Sequence, residues 1–368
     1  MSALLQTLAG VQSRFGELDR HLADPGLLAD QARYREVLKE RKRLEPIVEA
    51  CVALRQVEAD MEAARAMLGE GDAETRAWVQ AELSRGEAEA AELEAKVRVL
   101  LLPHDPRDER NVILEIRAGA GGEEAALFAA DLARMYMRYA ERRGWKTEVL
   151  DSNETGIGGF KELIMSIEGE GAFSRLKYES GVHRVQRVPE TESSGRIHTS
   201  TATVAVLAEA DEVEVDIKPD DLEIDTYRAS GAGGQHVNKT ESAIRITHKP
   251  SGIIVSCQDE RSQGKNKARA MMILRARLLD LYQHEQANEI ATERRSQVGS
   301  GERSERIRTY NFPQNRLSEE RIDLTLYKLR LILDGELDEV IDALVAVDQS
   351  RLLQHAEEAT AAGGRSGD

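Results

Sequence analysis

Two glycine-rich stretches hold the residues whose types and spacing could do chemistry, "GAGGEEAAL" from Gly119 and "GAGGQHVNKT" from Gly231. Both would bare backbone N–H groups, which can donate to a phosphate or a carbonyl oxygen. Neither has the glycine spacing or the Gly-Lys-Ser/Thr ending of a nucleotide-binding loop, so a nucleotide site is not expected. The first follows a strand pattern and opens a helical one, so the amides at Gly121 to Glu124 would form a donor-rich helix N-terminus. The plain alternative is a tight strand-to-helix turn whose two glutamates suit the helix dipole. The second surrounds Gln235, which has no nucleophile or acid beside it. Its glycines permit backbone conformations closed to other residues and a close approach to another molecule, or they simply make a flexible loop. Arg228, Lys239, Arg245, Arg261, Lys265, Lys267 and Arg269 surround it and argue for phosphate nearby.

The whole chain of 368 residues carries a net charge of −16, which taken alone argues against nucleic acid. From Thr226 to Arg308, however, 15 Lys and Arg stand against 9 Asp and Glu. A basic module inside an acidic protein points to one domain that touches polyanions. Cys51 and Cys257 fit neither a disulfide framework nor a zinc spacing, so a reduced, cytoplasmic setting is expected. The start, "MSALLQTLAGVQSRF", lacks the pattern of a signal peptide, and no apolar run is long enough to cross a bilayer.

The elements that must position these stretches change character along the chain. Leu4, Leu8, Val11, Phe15, Leu18 and Leu22 form one apolar helical seam that Pro25-Gly26 ends. Amphipathic stretches at about 31–68 and 74–100 complete a helical bundle, with a kink expected at Pro46. After the linker "LLPHDPRDERN", strand and helix patterns alternate. "VILEIRAG", "KTEVLDS", "KELIMSIEG", "IHTSTATVAVLAE" and "EVEVDI" read as strands, and "EEAALFAADLARMYMRYAERRG" reads as a helix. "AIRITH" and "GIIVSCQ" read as a hairpin turned at Lys249 to Gly252, followed by a long arginine-rich helix. The segment from Val298 to Arg316 is expected to loop back to the earlier sheet, and a final pair of helices to end in a disordered tail.

At "GAGGQHVNKTESAIRITH" the sequence resembles the bacterial class I peptide chain release factors. The likeness extends through "RAGAGGEEAALFA", "GVHRVQRVP", "GRIHTS", "DERSQGKNKARAM" and "RIRTYNFPQNR", so it covers essentially the whole chain. Within that family one branch, release factor 1, reads UAA and UAG with a Pro-x-Thr loop. The other reads UAA and UGA with Ser-Pro-Phe. This sequence has Pro189-Glu190-Thr191 and no Ser-Pro-Phe, and so resembles the first branch. Release factor 2 and the stalled-ribosome rescue factors are the alternatives, and the Pro189 to Thr191 loop is the discriminator.

The resemblance implies an α+β multidomain fold. Its parts are a helical N-terminal domain over 1–105, a codon-recognition α/β domain with a mixed sheet over 106–220 and a small α+β domain carrying Gly-Gly-Gln over 221–300. A C-terminal part over 301–355 completes the codon-recognition sheet, and 356–368 is a disordered tail. It implies that Gly121 and Glu124 meet the first codon base and that Thr191, in the loop with Pro189 and Glu190, meets the second. His198 would stack between bases, and Gln186 and Thr199 would meet the third base. Gly233, Gly234 and Gln235 would act in hydrolysis of peptidyl-tRNA, with the Gln235 backbone N–H as the working group and its side chain open to N5-methylation. Arg261, Lys265, Lys267 and Arg269 would contact ribosomal RNA. The implied partners are both ribosomal subunits, the mRNA stop codon, P-site peptidyl-tRNA, a glutamine methyltransferase and a recycling GTPase release factor. No cofactor, metal or membrane is expected, and hydrolysis is expected only within the ribosomal peptidyl transferase centre. A free-standing hydrolase using the glycine loops would instead cleave esters without ribosomes, and a pure RNA-binding module would bind without release.

Overall fold

The computed structural model describes residues 2–67, 73–103, 105–189, 195–210, 215–228 and 241–363. Helices α1 (Ser2–Leu22), α2 (Gln31–Met67) and α3 (Ala73–Leu100) come first. They are followed by β1 (Val112–Ala118), α4 (Glu123–Arg143), β2 (Lys146–Glu154), β3 (Phe160–Glu168), α5 (Ala172–Leu176), β4 (Gly181–Arg187) and β5 (His198–Ala208). Next come β6 (Leu222–Tyr227), β7 (Ala243–His248), β8 (Ile254–Cys257) and the 36-residue α6 (Gln263–Val298). The chain closes with β9 (Arg306–Asn311), β10 (Arg316–Glu319), β11 (Leu324–Leu326), α7 (Leu329–Leu333) and α8 (Asp338–Gly363). Two compact units result, 1–105 with 343–368, and 106–342.

In the first unit the apolar seam of α1 does what its spacing predicts. Leu8 and Leu18 are buried and Val11, Phe15 and Leu22 partly so, against Val37, Leu44, Ile47 and Cys51 of α2 and Val97 of α3. Arg14 grips both oxygens of Glu40 at 2.8 Å, and Arg41 reaches Asp19 at 2.7 Å. α2 runs through Pro46 as one helix. The division between the units falls inside α8, which continues to Gly363, past residue 356 where the sequence reading starts a disordered tail. The alanine-rich "AEEATAA" has the helix propensity to carry it on.

The second unit holds an eight-stranded sheet in the order β11-β10-β9-β4-β5-β1-β3-β2. Its neighbours are antiparallel except β4 and β9, which run parallel, so the sheet is mixed and the strands after residue 305 complete it. Ala125, Phe128, Leu132, Tyr136 and Tyr139, three and four residues apart, bury one face of α4 beside β1, β3 and β5. On β1, Val112, Leu114 and Ile116 are buried, while the intervening Glu115 takes Arg294 of α6 at 2.5 and 2.7 Å. Past the last β4 partner, Gly181 opposite Val204, the open edge of β5 is met by Gln297, whose amide pairs with both backbone groups of Val206 at 2.8 Å.

A smaller antiparallel sheet, β6-β7-β8, packs Ile244, Ile246, Val255 and Cys257 against Ala270, Leu274 and Leu278 of α6. Of the expected "EVEVDI" strand only residues 215–217 are described, and they form no strand. Residues 211–214 lie outside the described residues, and Val215 and Ile217 pack on this small core without strand pairing. The partner of β7 is "LEIDTY", a strand not expected from the sequence, which starts after Pro219, a residue with no N–H to give a ladder.

Arg308 of β9 is fully buried, with its guanidinium on both oxygens of Glu179 at 2.6 and 2.8 Å and its Nε on Glu319 at 2.9 Å. Tyr136 donates to Glu179 at 2.9 Å. Burial alone would push the Glu179 carboxyl up, but the facing Arg308 outweighs it and holds the group at about 2. His183 of β4 meets the Glu179 carbonyl through Nε2 at 2.9 Å and Tyr310 through Nδ1 at 3.0 Å. A carbonyl only accepts, so Nε2 carries the proton and Nδ1 accepts the phenol O–H. Burial and the nearby Arg308 lower His183 to about 4, so it is neutral.

Candidate functional site

The first glycine stretch is a strand-to-helix turn built against β5. The Gly119 N–H donates to the Thr201 carbonyl at 2.8 Å, the Ala120 N–H to the Thr201 hydroxyl at 2.9 Å, and the Thr201 N–H returns to the Ala120 carbonyl at 2.9 Å. Gly121 then takes φ +140° and Gly122 φ +62°, both open to glycine and strained for other residues. Gly122 caps α4 without a side-chain bond, so the first amides of the helix stay exposed at Gly121 to Glu123.

Glu124, in the first turn of α4, is buried. Its Oε1 accepts from Arg187 at 2.6 Å, and its Oε2 has no hydrogen-bond partner. Arg187, the last residue of β4, also reaches Asp131 at 2.6 Å and lies over the Phe312 ring at 5.0 Å. Burial would lower this guanidinium's pKa, but Asp131 and Glu124 raise it, so Arg187 stays charged between two carboxylates.

The antiparallel register of β4 and β5 sets Gln186 opposite Thr199 and Arg187 opposite His198. Gln186 and Thr199 are half-buried, His198 is exposed, and Pro189 is buried two residues past β4. Gln186 also lies beside Asn311 in the parallel pairing with β9, and the Phe312 N–H donates to its carbonyl at 3.0 Å. The start of α4, the end of β4 and the start of β5 thus bring Gly121, Glu124, Gln186, His198 and Thr199 to one end of the sheet. Glu190 and Thr191, and likewise Gly233, Gly234 and Gln235, lie outside the described residues.

The basic residues of the second stretch collect on a different element. Arg261, Lys265, Lys267 and Arg269 flank and form the first turns of α6 and are all exposed, with Arg269 3.4 Å from Asp259. Among them, Asn266 is fully buried. Its Nδ2 donates to the carbonyls of Ser242 and Glu260 at 2.8 and 2.7 Å, and its Oδ1 accepts from the Glu260 N–H at 2.9 Å. It ties the start of α6 to the residue just before β7. Asp131, Arg187, Asn266 and Asn311 escape sequence reading because their partners lie up to 125 residues away. The local signal is the presence of Arg187, Asn266 and Asn311 inside "GVHRVQRVP", "DERSQGKNKARAM" and "RIRTYNFPQNR". Among the described residues no cluster of His, Cys, Asp or Glu could hold a metal ion, and no helix is long and apolar enough to cross a membrane.

The sequence matches the family model described as PCRF domain over residues 11–204 and that described as RF-1 domain over residues 211–321. It is 57% identical to peptide chain release factor 1 of Acetivibrio thermocellus, over 96% of this chain and 99% of that one. It is 58% identical to peptide chain release factor 1 of Carboxydothermus hydrogenoformans, again over 96% of this chain and 99% of that one. A solved structure, RF2 of Thermus thermophilus, is similar at 39% identity and TM-score 0.47 over 91% of this chain and 93% of that one. Two family models that together span most of the chain, and relatives matched over nearly their full length, make this chain a member of the peptide chain release factor family.

Proposed function

We propose that the protein terminates translation by reading UAA and UAG in the ribosomal A site and promoting hydrolysis of the peptidyl-tRNA ester. The observation that carries the reading is the convergence of the exposed N-terminus of α4 with Gln186, His198 and Thr199 at one end of the eight-stranded sheet. Three unpaired nucleotides are read by stacking and by hydrogen bonds to base edges, and this group offers both. Backbone amides at Gly121 and Glu124 donate to the carbonyls of the first-position uracil. Thr191 meets the second base, the His198 imidazole stacks beside it, and Gln186 with Thr199 meets the third. Sense codons are rejected because they leave buried polar groups unpaired, a larger penalty than lost contact area.

At the distant end of the tRNA the reaction is ester hydrolysis. A primary amide is too weak a base to activate water, whereas one well-placed backbone N–H aimed at a developing oxyanion contributes about 2.7 to 4 kcal/mol. The Gln235 N–H takes that role, Gly233 and Gly234 let the backbone turn it inward, and the Gln235 side chain shapes the space for water. The exposed charges of Arg261, Lys265, Lys267 and Arg269 hold this region against ribosomal RNA. The side chain of Gln235 is a substrate for a glutamine methyltransferase, and a recycling GTPase acts after release.

The test is release of labelled peptide from ribosomes stopped at UAA, UAG and UGA. Release is expected on the first two alone, and strong release on UGA overturns the codon assignment. Gln235→Ala should weaken release, while Gln235→Pro, which deletes the N–H, should abolish it with ribosome binding intact. Near-normal release by the proline variant overturns the backbone-amide role.

A further inference from the structure

The strand register carries one row of residues outward from the codon-reading group. Gln186 of β4 is paired with Thr199 of β5 on one side and with Asn311 of β9 on the other, and Asn311 is paired in turn with Arg316 of β10. Leu317, the next residue of β10, faces Leu326, the last of β11, so Tyr327 follows beside Arg316 at the same end of the sheet. Side-chain amides tie the row together. Asn311 Nδ2 donates to Gln186 Oε1 at 3.1 Å, and Asn315 Nδ2 donates to the Tyr327 carbonyl at 3.2 Å. The outer end of this row differs from the sheet around it. Arg184, Arg187, Arg306 and Arg308 each reach a carboxylate. Arg316 reaches none among the described residues, and its Nε is buried without a hydrogen-bond partner. Tyr327 projects with 70% of its surface exposed, and the exposed Arg330 lies three residues on.

We propose that Tyr327 and Arg316 bind the message nucleotide that follows the stop codon, Tyr327 by stacking on its base and Arg316 by donating to its phosphate. This rests on the reading that sets the first base at the start of α4 and the third at Gln186 and Thr199. The codon then crosses the sheet from the β1 side through β5 to β4, and the message leaves over β9, β10 and β11. Neighbouring strands lie about 4.8 Å apart, so Tyr327 stands about 14 Å from β4, clear of the third base and in the path of the nucleotide after it. That nucleotide is unpaired, and every base has a face that can stack on an aromatic ring, so a tyrosine here holds it whatever its identity. The Arg316 guanidinium is always charged and has no carboxylate to neutralise it, and a phosphate beside the stacked base supplies the missing anion.

The experiment measures the factor concentration that gives half-maximal peptide release on two kinds of ribosome, one whose message ends at UAA and one whose message continues past it. For the parent protein the extended message should lower that concentration about tenfold, the effect of one stacked base. Tyr327→Ala and Arg316→Ala should each shrink the difference between the two messages to about twofold or less, while Tyr327→Phe, which keeps the ring, should retain it. The Tyr327 side chain is exposed, so its loss leaves the core intact, and the thermal midpoint of each variant checks this. Equal release by the parent on both messages overturns the proposal, as does an alanine variant at Tyr327 that keeps the parent's difference. A variant weakened by the same factor on both messages also overturns it, because the surface then meets ribosomal RNA and not the message. Gln186→Ala separates the site from the reading beneath it. If that variant matches the parent on UAA, UAG and UAU, the third-base reading itself fails. If it alters those ratios while Tyr327→Ala keeps the difference between messages, the reading stands and the site at Tyr327 falls.

Discussion

Gly121 occupies a point where no side chain fits. A Cβ built there would lie 2.3 Å from Ser200 Oγ and 2.5 Å from Ser200 Cβ, and the backbone is already at φ +140°. Gly121→Ala must therefore displace the first amides of α4, the start of β5, or both. The expected outcome is at least a tenfold rise in the factor concentration giving half-maximal release on UAA ribosomes, with a smaller effect on the rate at saturation. Equal release curves for variant and parent would remove Gly121 from the recognition group. The need for glycine here is visible in "GAGGEE", since such a run before an apolar period marks a strand-to-helix turn. Ser200, which forbids the side chain, is 79 positions further on, and nothing local announces it.

At the scale of elements, the parallel pairing of β4 with β9 depends on buried charge. Arg308, Glu179 and Glu319 have no exposed side-chain surface, and the arginine satisfies both carboxylates at once. Removing one carboxylate leaves a buried guanidinium short of a partner, which typically costs about 3 to 5 kcal/mol. Glu179→Gln is thus expected to lower stability by that order in denaturant unfolding, and a loss under about 1 kcal/mol would show that the network is not what joins these strands. This pairing is also where sequence reading stops short. "EEAALFAADLARMYMRYAERR" declares a helix through its own period, and "IHTSTATVAVLAE" declares a strand through its β-branched residues. "GVHRVQR" sets its two valines three apart among His, Arg and Gln, so no strand period declares it. Its burial becomes intelligible only when Arg308 and Tyr310 are set beside it, because a buried histidine or arginine is tolerated where a distant partner satisfies it.

For the whole molecule, acid should be the weak side of the stability curve. His183 titrates at about 4 in the folded protein against 6.5 for an ordinary histidine. Between those values the unfolded chain binds a proton that the folded one refuses, so stability falls as pH drops through that window, by up to about 3 kcal/mol. Glu179, held at about 2 against 4.5, extends the loss in the same direction below pH 4.5. The thermal midpoint should decline from pH 7 to pH 4, and His183→Gln, which can keep one donor and one acceptor, should flatten the upper part of that decline. An equally steep decline in the variant would assign the acid sensitivity elsewhere. The same whole-molecule view shows why bulk charge misleads, since −16 over the chain conceals the exposed cations of Arg261, Lys265, Lys267 and Arg269 at the head of one helix.

The order in which the chain is made gives the eight-stranded sheet one more consequence. β4 and β5 exist as sequence by residue 208, yet the strand that flanks β4 and carries Asn311 is translated about a hundred residues later. A nascent chain, or one cut short before residue 306, has Gln186 without its neighbour and Glu179 without its arginine. The β4 flank of the sheet, with the buried carboxylate of Glu179, is therefore completed only after nearly the whole chain has been made.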